Sequence, residues 1–113
     1  MASPIVRSAL AALALVAVSA APALADCYDV FGCSNRDVFR YRDLVSGPNC
    51  EFLWQMRNRI YQENGYCFKT ARGIATFGNE GCRYHSENSV PMNRIERSNV
   101  VTIKQAEAAL GCR

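Results

Sequence analysis

Asn49-Cys50-Glu51-Phe52-Leu53-Trp54-Gln55-Met56-Arg57-Asn58-Arg59-Ile60-Tyr61-Gln62-Glu63-Asn64-Gly65-Tyr66 is the stretch that decides the fold. Leu53, Met56 and Ile60 recur at the three- and four-residue spacing of one helix face. Arg57 and Asn64 continue the spacing, and Trp54 and Tyr61 form an adjoining stripe. Asn49 is a suitable N-cap, and Glu51 sits where the helix dipole favours an acid. Gly65 can take the positive φ that commonly ends a helix. The stretch therefore predicts a helix from about Cys50 to Asn64.

Downstream, Thr70 caps a shorter predicted helix, Ala71 to Phe77, with Ile74 and Phe77 on its core side and Gly78 as its stop. Gly78–Ser89 reads as a long polar loop. Asn93, with Glu96 three residues later, resembles a capping box. The helix it opens runs to about Leu110, with Val100, Ile103 and Leu110 on one face and Ala106 between them. Gly111 closes it. Upstream, 26–49 is the least regular part. Residues 37–44 could form a short helix, and Ser46-Gly47-Pro48-Asn49 is a turn cluster separating this arm from the rest. No stretch alternates like a strand. The expected fold is all-α: a small disulfide-stapled domain of about three helices (50–113) with an irregular N-terminal arm (26–49).

The first 25 residues have the three parts of a secretory signal. Arg7 supplies the positive end, Ala9–Ala21 is free of charge, and Ala23-Leu24-Ala25 fits the cleavage pattern. The apolar run is shorter than the ~20 residues a spanning helix needs. Cys27 is a poor lipidation site, because charged Asp26 precedes it. Cleavage after Ala25 predicts a periplasmic or secreted product with no stable membrane insertion. The exported chain, 113 less 25, has 88 residues. With 12 Lys and Arg (13 less Arg7) against 10 acids, it is too weakly basic to imply nucleic acid.

All six cysteines, Cys27, Cys33, Cys50, Cys67, Cys82 and Cys112, follow the signal. An even count in a short exported chain reads as a disulfide framework, and small cores need such staples. Of the connectivities open to six cysteines, element order favours one. Cys67 and Cys82 flank the segment that carries the short helix. Cys50 begins the first helix and Cys112 follows the last, so antiparallel packing brings them together. Cys27 and Cys33 remain as a local loop.

The segment Leu53–Tyr66 resembles the signature of the YARHG domain, a family found in exported bacterial proteins, whose helix reads roughly L-R-N-x-I-Y-A-R-H-G-Y. Arg57-Asn58, Ile60-Tyr61 and Gly65-Tyr66 match it. Ile74 and Phe77 fit the following aromatic-ended helix. Met92-Asn93-Arg94-Ile95-Glu96-Arg97-Ser98-Asn99-Val100-Val101-Thr102-Ile103 resembles the family's later stretch. The resemblance covers about 50–112. Gln62, Glu63 and Asn64 replace the family's Ala, Arg and His, so any chemistry those residues carried is lost here. Cys50, Cys67, Cys82 and Cys112 bracket the motif elements, as in a disulfide-bearing variant. The resemblance implies a role at the bacterial cell envelope, with peptidoglycan as one partner, and establishes no activity.

No catalytic set emerges. His85 is the single histidine, and the sequence nominates no partner for it. Cys82-Arg83-Tyr84-His85 lacks the paired spacing of a structural zinc site, and exported cysteines pair with each other. The reading is a non-enzyme with no metal and no cofactor. Binding candidates are Trp54, Arg57, Tyr61, Tyr66 and Tyr84, since aromatic faces beside cations can stack on sugars or anchor a protein. Burial in a small core also accounts for Trp54 and the tyrosines, and hydrogen bonding to the neighbouring loop for Arg57. Two functions follow: a non-catalytic envelope module that binds peptidoglycan, or a secreted interaction protein that serves as inhibitor or accessory subunit of an envelope enzyme.

Overall fold

The computed structural model describes residues 27–113. The signal segment and its cleavage after Ala25 lie outside the described residues. The chain forms a two-residue-stranded hairpin, β1 (Cys27–Tyr28) and β2 (Gly32–Cys33), then α1 (Tyr41–Ser46), α2 (Cys50–Glu63), α3 (Ala71–Phe77), a single 3₁₀ turn (Glu87–Ser89) and α4 (Arg94–Ala109). It is a small, mostly helical domain. β1 and β2 are antiparallel, with Cys27 opposite Cys33 and Tyr28 opposite Gly32.

The caps sit where the sequence puts them. The Asn49 side chain accepts from the Phe52 amide at 2.8 Å, and Thr70 accepts from the Gly73 amide at 3.0 Å. Asn93 and Glu96 form the full capping box, at 2.8 and 3.0 Å. Each bond satisfies an amide that the first helical turn leaves without a partner.

α2 and α4 run antiparallel as the centre of the fold. Cys50 bridges to Cys112 at one end, with Cα atoms 5.4 Å apart. Arg57 pairs with Glu107 midway, and Asn64 donates to Glu96 at 2.7 Å near the other end. Between the two helices lie Leu53, Met56, Ile60, Val100, Ile103 and Ala106, all buried. Cys67 bridges to Cys82, Cα atoms 5.1 Å apart, and Cys27 to Cys33 within the hairpin.

The N-terminal arm is a packed part of this core. Phe39 and Leu44 are buried, and α1 lies on α4. Asn99, fully buried in α4, accepts from the Phe39 amide at 2.8 Å and donates to the carbonyls of Ser34 and Asp37, both at 2.9 Å. These bonds commit 34–39 to a non-helical path, with a bend at Asp37 and an extended Arg40, so the first short helix starts at Tyr41 rather than at 37. Tyr28, Phe31 and Phe39 meet edge to face or tilted, at centroid separations near 6.1 Å, and Tyr28 reaches Phe52 at 5.7 Å.

Two expected core residues lie outside it. Ile74 is 45% exposed, because α3 packs through Gly73 and Phe77 instead. Gly73 is buried so tightly that an added Cβ would come within 2.8 Å of the Phe68 ring. Leu110 is 41% exposed: it is the C-cap of α4, where the chain turns away at Gly111.

Candidate functional site

The signature helix ends in a turn with a full set of backbone bonds. Gly65 has φ +90°, its amide bonds the Gln62 carbonyl, and the Tyr66 amide bonds the Tyr61 carbonyl. This is the double-bonded Schellman ending, and the rings of Tyr61 and Tyr66, 5.6 Å apart, supply the apolar contact that accompanies it.

Beyond the turn the chain is clamped to the loop after α3. The Gly65 carbonyl accepts from the amides of Arg83 and Tyr84 at 2.8 and 3.0 Å, and the Cys67 amide bonds the Tyr84 carbonyl at 2.8 Å. The Asn79 side chain takes both polar groups of the Phe68 backbone, at 2.7 and 2.9 Å, as a neighbouring strand would. The Cys67–Cys82 bridge closes the same loop covalently.

This framework leaves a groove on either side of Gly65. One lobe, about 410 Å³, is lined by Gln62, Tyr66, Phe77, Gly78, Asn79, Glu80 and Cys82. The other, about 370 Å³, is lined by Glu63, Asn64, Arg83, Tyr84 and Pro91. Gln62, Gly65 and Gly81 line both. Both volumes are in the range of small-molecule sites. Asn64 is already committed to the Ile60 carbonyl and to Glu96, both at 2.7 Å. The side-chain Oε1 of Gln62 accepts from Arg59 at 2.9 Å, which leaves its Nε2 to donate.

The five residues singled out in the sequence divide. Tyr66 and Tyr84 line the groove. Tyr61 is buried beneath Tyr66. Burial raises the Tyr61 phenol above its ordinary pKa, and the charge of Glu87 adds to the effect against Arg57 and Arg97; Tyr66 is raised by burial and by Glu87. Trp54 stands apart, one end of a run of ring contacts through Phe77, Phe68 and Tyr66 to Tyr61. Its face is already taken by the Arg72 guanidinium, 3.7 Å from the ring centroid and itself paired with Glu51. Arg57 points to α4, where it grips Glu107 with two hydrogen bonds, and is no part of the groove.

Sequence reasoning passed over Gln62, Glu80 and Gly81. The one signal for them is the pair of glycines, Gly78 and Gly81, that brackets Asn79-Glu80. Both have positive φ and open space where a Cβ would stand.

A second concavity, about 490 Å³, lies between the hairpin and the start of α2. Val30, Phe31, Pro48 and Phe52 make it mainly apolar. Cys82 is committed to its disulfide and His85 is exposed. Among the described residues no group of three or more His, Cys, Asp or Glu could hold a metal ion, and no helix is long and apolar enough to cross a membrane.

Caps, bridges and groove define a small disulfide-bridged helical domain organised about the turn at the end of its signature helix. The model of the YARHG domain family matches residues 35–108, most of the described chain, and the protein belongs to that family, which is typical of exported proteins. Three disulfides fit the oxidising compartment in which such domains reside. The match begins at residue 35, inside the arm that Asn99 ties to α4. No curated protein and no solved structure matches the chain.

Proposed function

We propose that this is a non-catalytic binding module of the bacterial periplasm or cell envelope that associates with peptidoglycan. One observation carries the reading. The turn that ends the family's signature helix forms the shared wall of a preformed groove, with aromatic side chains and polar groups along its length. Disulfide, Asn79 clamp and backbone bonds fix that groove in the free protein, which lowers the ordering cost of binding.

The test is co-sedimentation of the exported protein with purified sacculi, beside a pull-down from periplasmic extract. Pelleting with sacculi supports the reading. Recovery of one stoichiometric protein partner, with no pelleting, would replace it with the second reading, an inhibitor or accessory subunit of an envelope enzyme. The apolar cleft at Val30, Phe31 and Phe52 favours that alternative, with Val30 75% exposed and Phe52 40%.

A further inference from the structure

We infer that the groove over Gly65 is a saccharide site. It takes neutral sugar rings of a glycan strand, laid against Tyr66 and bonded through their hydroxyls by Glu80 and Gln62. The inference rests on the peptidoglycan reading above and names the part of the polymer that is held. Three observations select sugar over other ligands.

The lobe beside Tyr66 and Phe77 combines aromatic surface with polar groups of both kinds. The Gln62 amide nitrogen donates and the Glu80 carboxylate accepts, which is the pairing that ring hydroxyls satisfy in both roles. Charge disfavours the competing chemistry in this lobe. Glu80 is the one charged side chain lining it, so a phosphate or a carboxylate-bearing stem peptide meets repulsion there; Arg59 is bonded to Gln62, and Arg83 lines only the second lobe. Shape agrees as well. The two lobes lie side by side, with Gln62, Gly65 and Gly81 lining both, which is the adjacency that consecutive rings of a chain require. At Gly78 and Gly81 no atom lies within 4 Å of an added Cβ, so nothing bulky narrows the wall.

The experiment is an amide-shift NMR titration of the exported protein with a soluble β-1,4-linked N-acetylglucosamine oligomer. A synthetic peptide with free carboxylates is titrated in parallel. The expected result is saturable movement of the Gly65, Gly78 and Gly81 amides with the oligosaccharide alone. Glu80→Ala and Gln62→Ala should each weaken binding about fivefold, the worth of one hydrogen bond, with melting temperatures like the parent's. The double variant should also lose pelleting with sacculi. Still amides, shifts confined to other faces, binding of the peptide instead, or variants that bind like the parent would each overturn the saccharide site. If the double variant still pellets, the groove is wrong and the peptidoglycan reading survives. If the parent itself does not pellet, both fail.

Discussion

Arg57 and Glu107 form a two-pronged ion pair between α2 and α4, with Nε to Oε1 at 2.6 Å and Nη2 to Oε2 at 3.2 Å. Their side chains are 17% and 14% exposed, so the pair is largely shielded from water and from salt. Arg57 belongs to the family signature, and its partner gives it a structural task. It fixes the register of the two central helices between the Cys50–Cys112 bridge and the Asn64–Glu96 contact.

Arg57→Ala should therefore destabilise the domain by about 2 kcal/mol, the cost of leaving a shielded carboxylate without its charged partner. For a domain of this size that lowers the melting temperature by about 8–16 °C. Glu107→Ala should do much the same, and the double variant should lose less than the two singles together. Thermal unfolding of the four proteins gives the coupling. Strict additivity would show that the pair contributes nothing of its own.

Asn99 should be the most sensitive polar residue of the fold. Its side chain bonds three backbone groups lying 60, 65 and 62 residues upstream. Asn99→Leu fills similar space and leaves all three without partners, at about 1–3 kcal/mol for each buried group that water cannot reach. The arm should loosen first. Hydrogen exchange at the Phe39 amide should rise well before exchange in α2 does. Protection of that amide at the parent's level in Asn99→Leu would refute the assignment.

The same residue shows where the sequence stops being legible. Helix ends were readable because their signals are local: Asn49, Thr70 and Asn93 each cap amides within three residues. The stripe Leu53, Met56 and Ile60 was readable because periodicity is local too. Asn99 looks like an ordinary helical polar residue until the backbone of 34–39 is brought beside it. The hairpin was missed because strands of two residues are too short to alternate. Ile74 was misplaced because Gly73, without a side chain, gives no apolar signal yet packs most closely. The groove was invisible for a related reason: the bonds that join Gly65 to Arg83 and Tyr84 are made by the backbone, which side-chain patterns do not encode.

Alkaline pH should destabilise the domain through the buried phenol of Tyr61 and the half-buried one of Tyr66. Burial, then the charge of Glu87, raises Tyr61 and Tyr66 above the ordinary tyrosine value. A phenol whose folded pKa is raised contributes stability that is intact below the unfolded pKa of about 10 and is lost as pH climbs through the folded value. Denaturant midpoints should hold steady up to about pH 9 and fall beyond about pH 10. Tyr61→Phe should lessen that fall, since it removes the more buried hydroxyl. An identical alkaline fall in Tyr61→Phe and the parent would assign the loss to other groups.

Gly65 and Gly111 both have positive φ, +90° and +70°, and both end a helix with the same pair of backbone bonds, so their surroundings separate two costs. At Gly111 nothing lies within 4 Å of an added Cβ, so Gly111→Ala meets only the backbone penalty of about 1–2 kcal/mol. At Gly65 the same atom would sit 3.2 and 3.3 Å from two carbons of the Tyr84 ring. The Tyr84 backbone is fixed by its bonds to Gly65 and Cys67 and its side chain packs against the core, so the ring cannot withdraw freely. Gly65→Ala should therefore cost more than Gly111→Ala, and Gly65→Val more again, because its γ-methyls crowd the same ring. Gly65→Asn should fall below Gly65→Val in cost, since Asn tolerates positive φ, yet it should not match the parent, because its Cβ meets Tyr84 all the same. Melting temperatures of the four variants give the order directly. Equal losses in Gly65→Ala and Gly111→Ala would mean that Tyr84 does not press on the turn, and that the groove wall beside it is softer than its bonds imply.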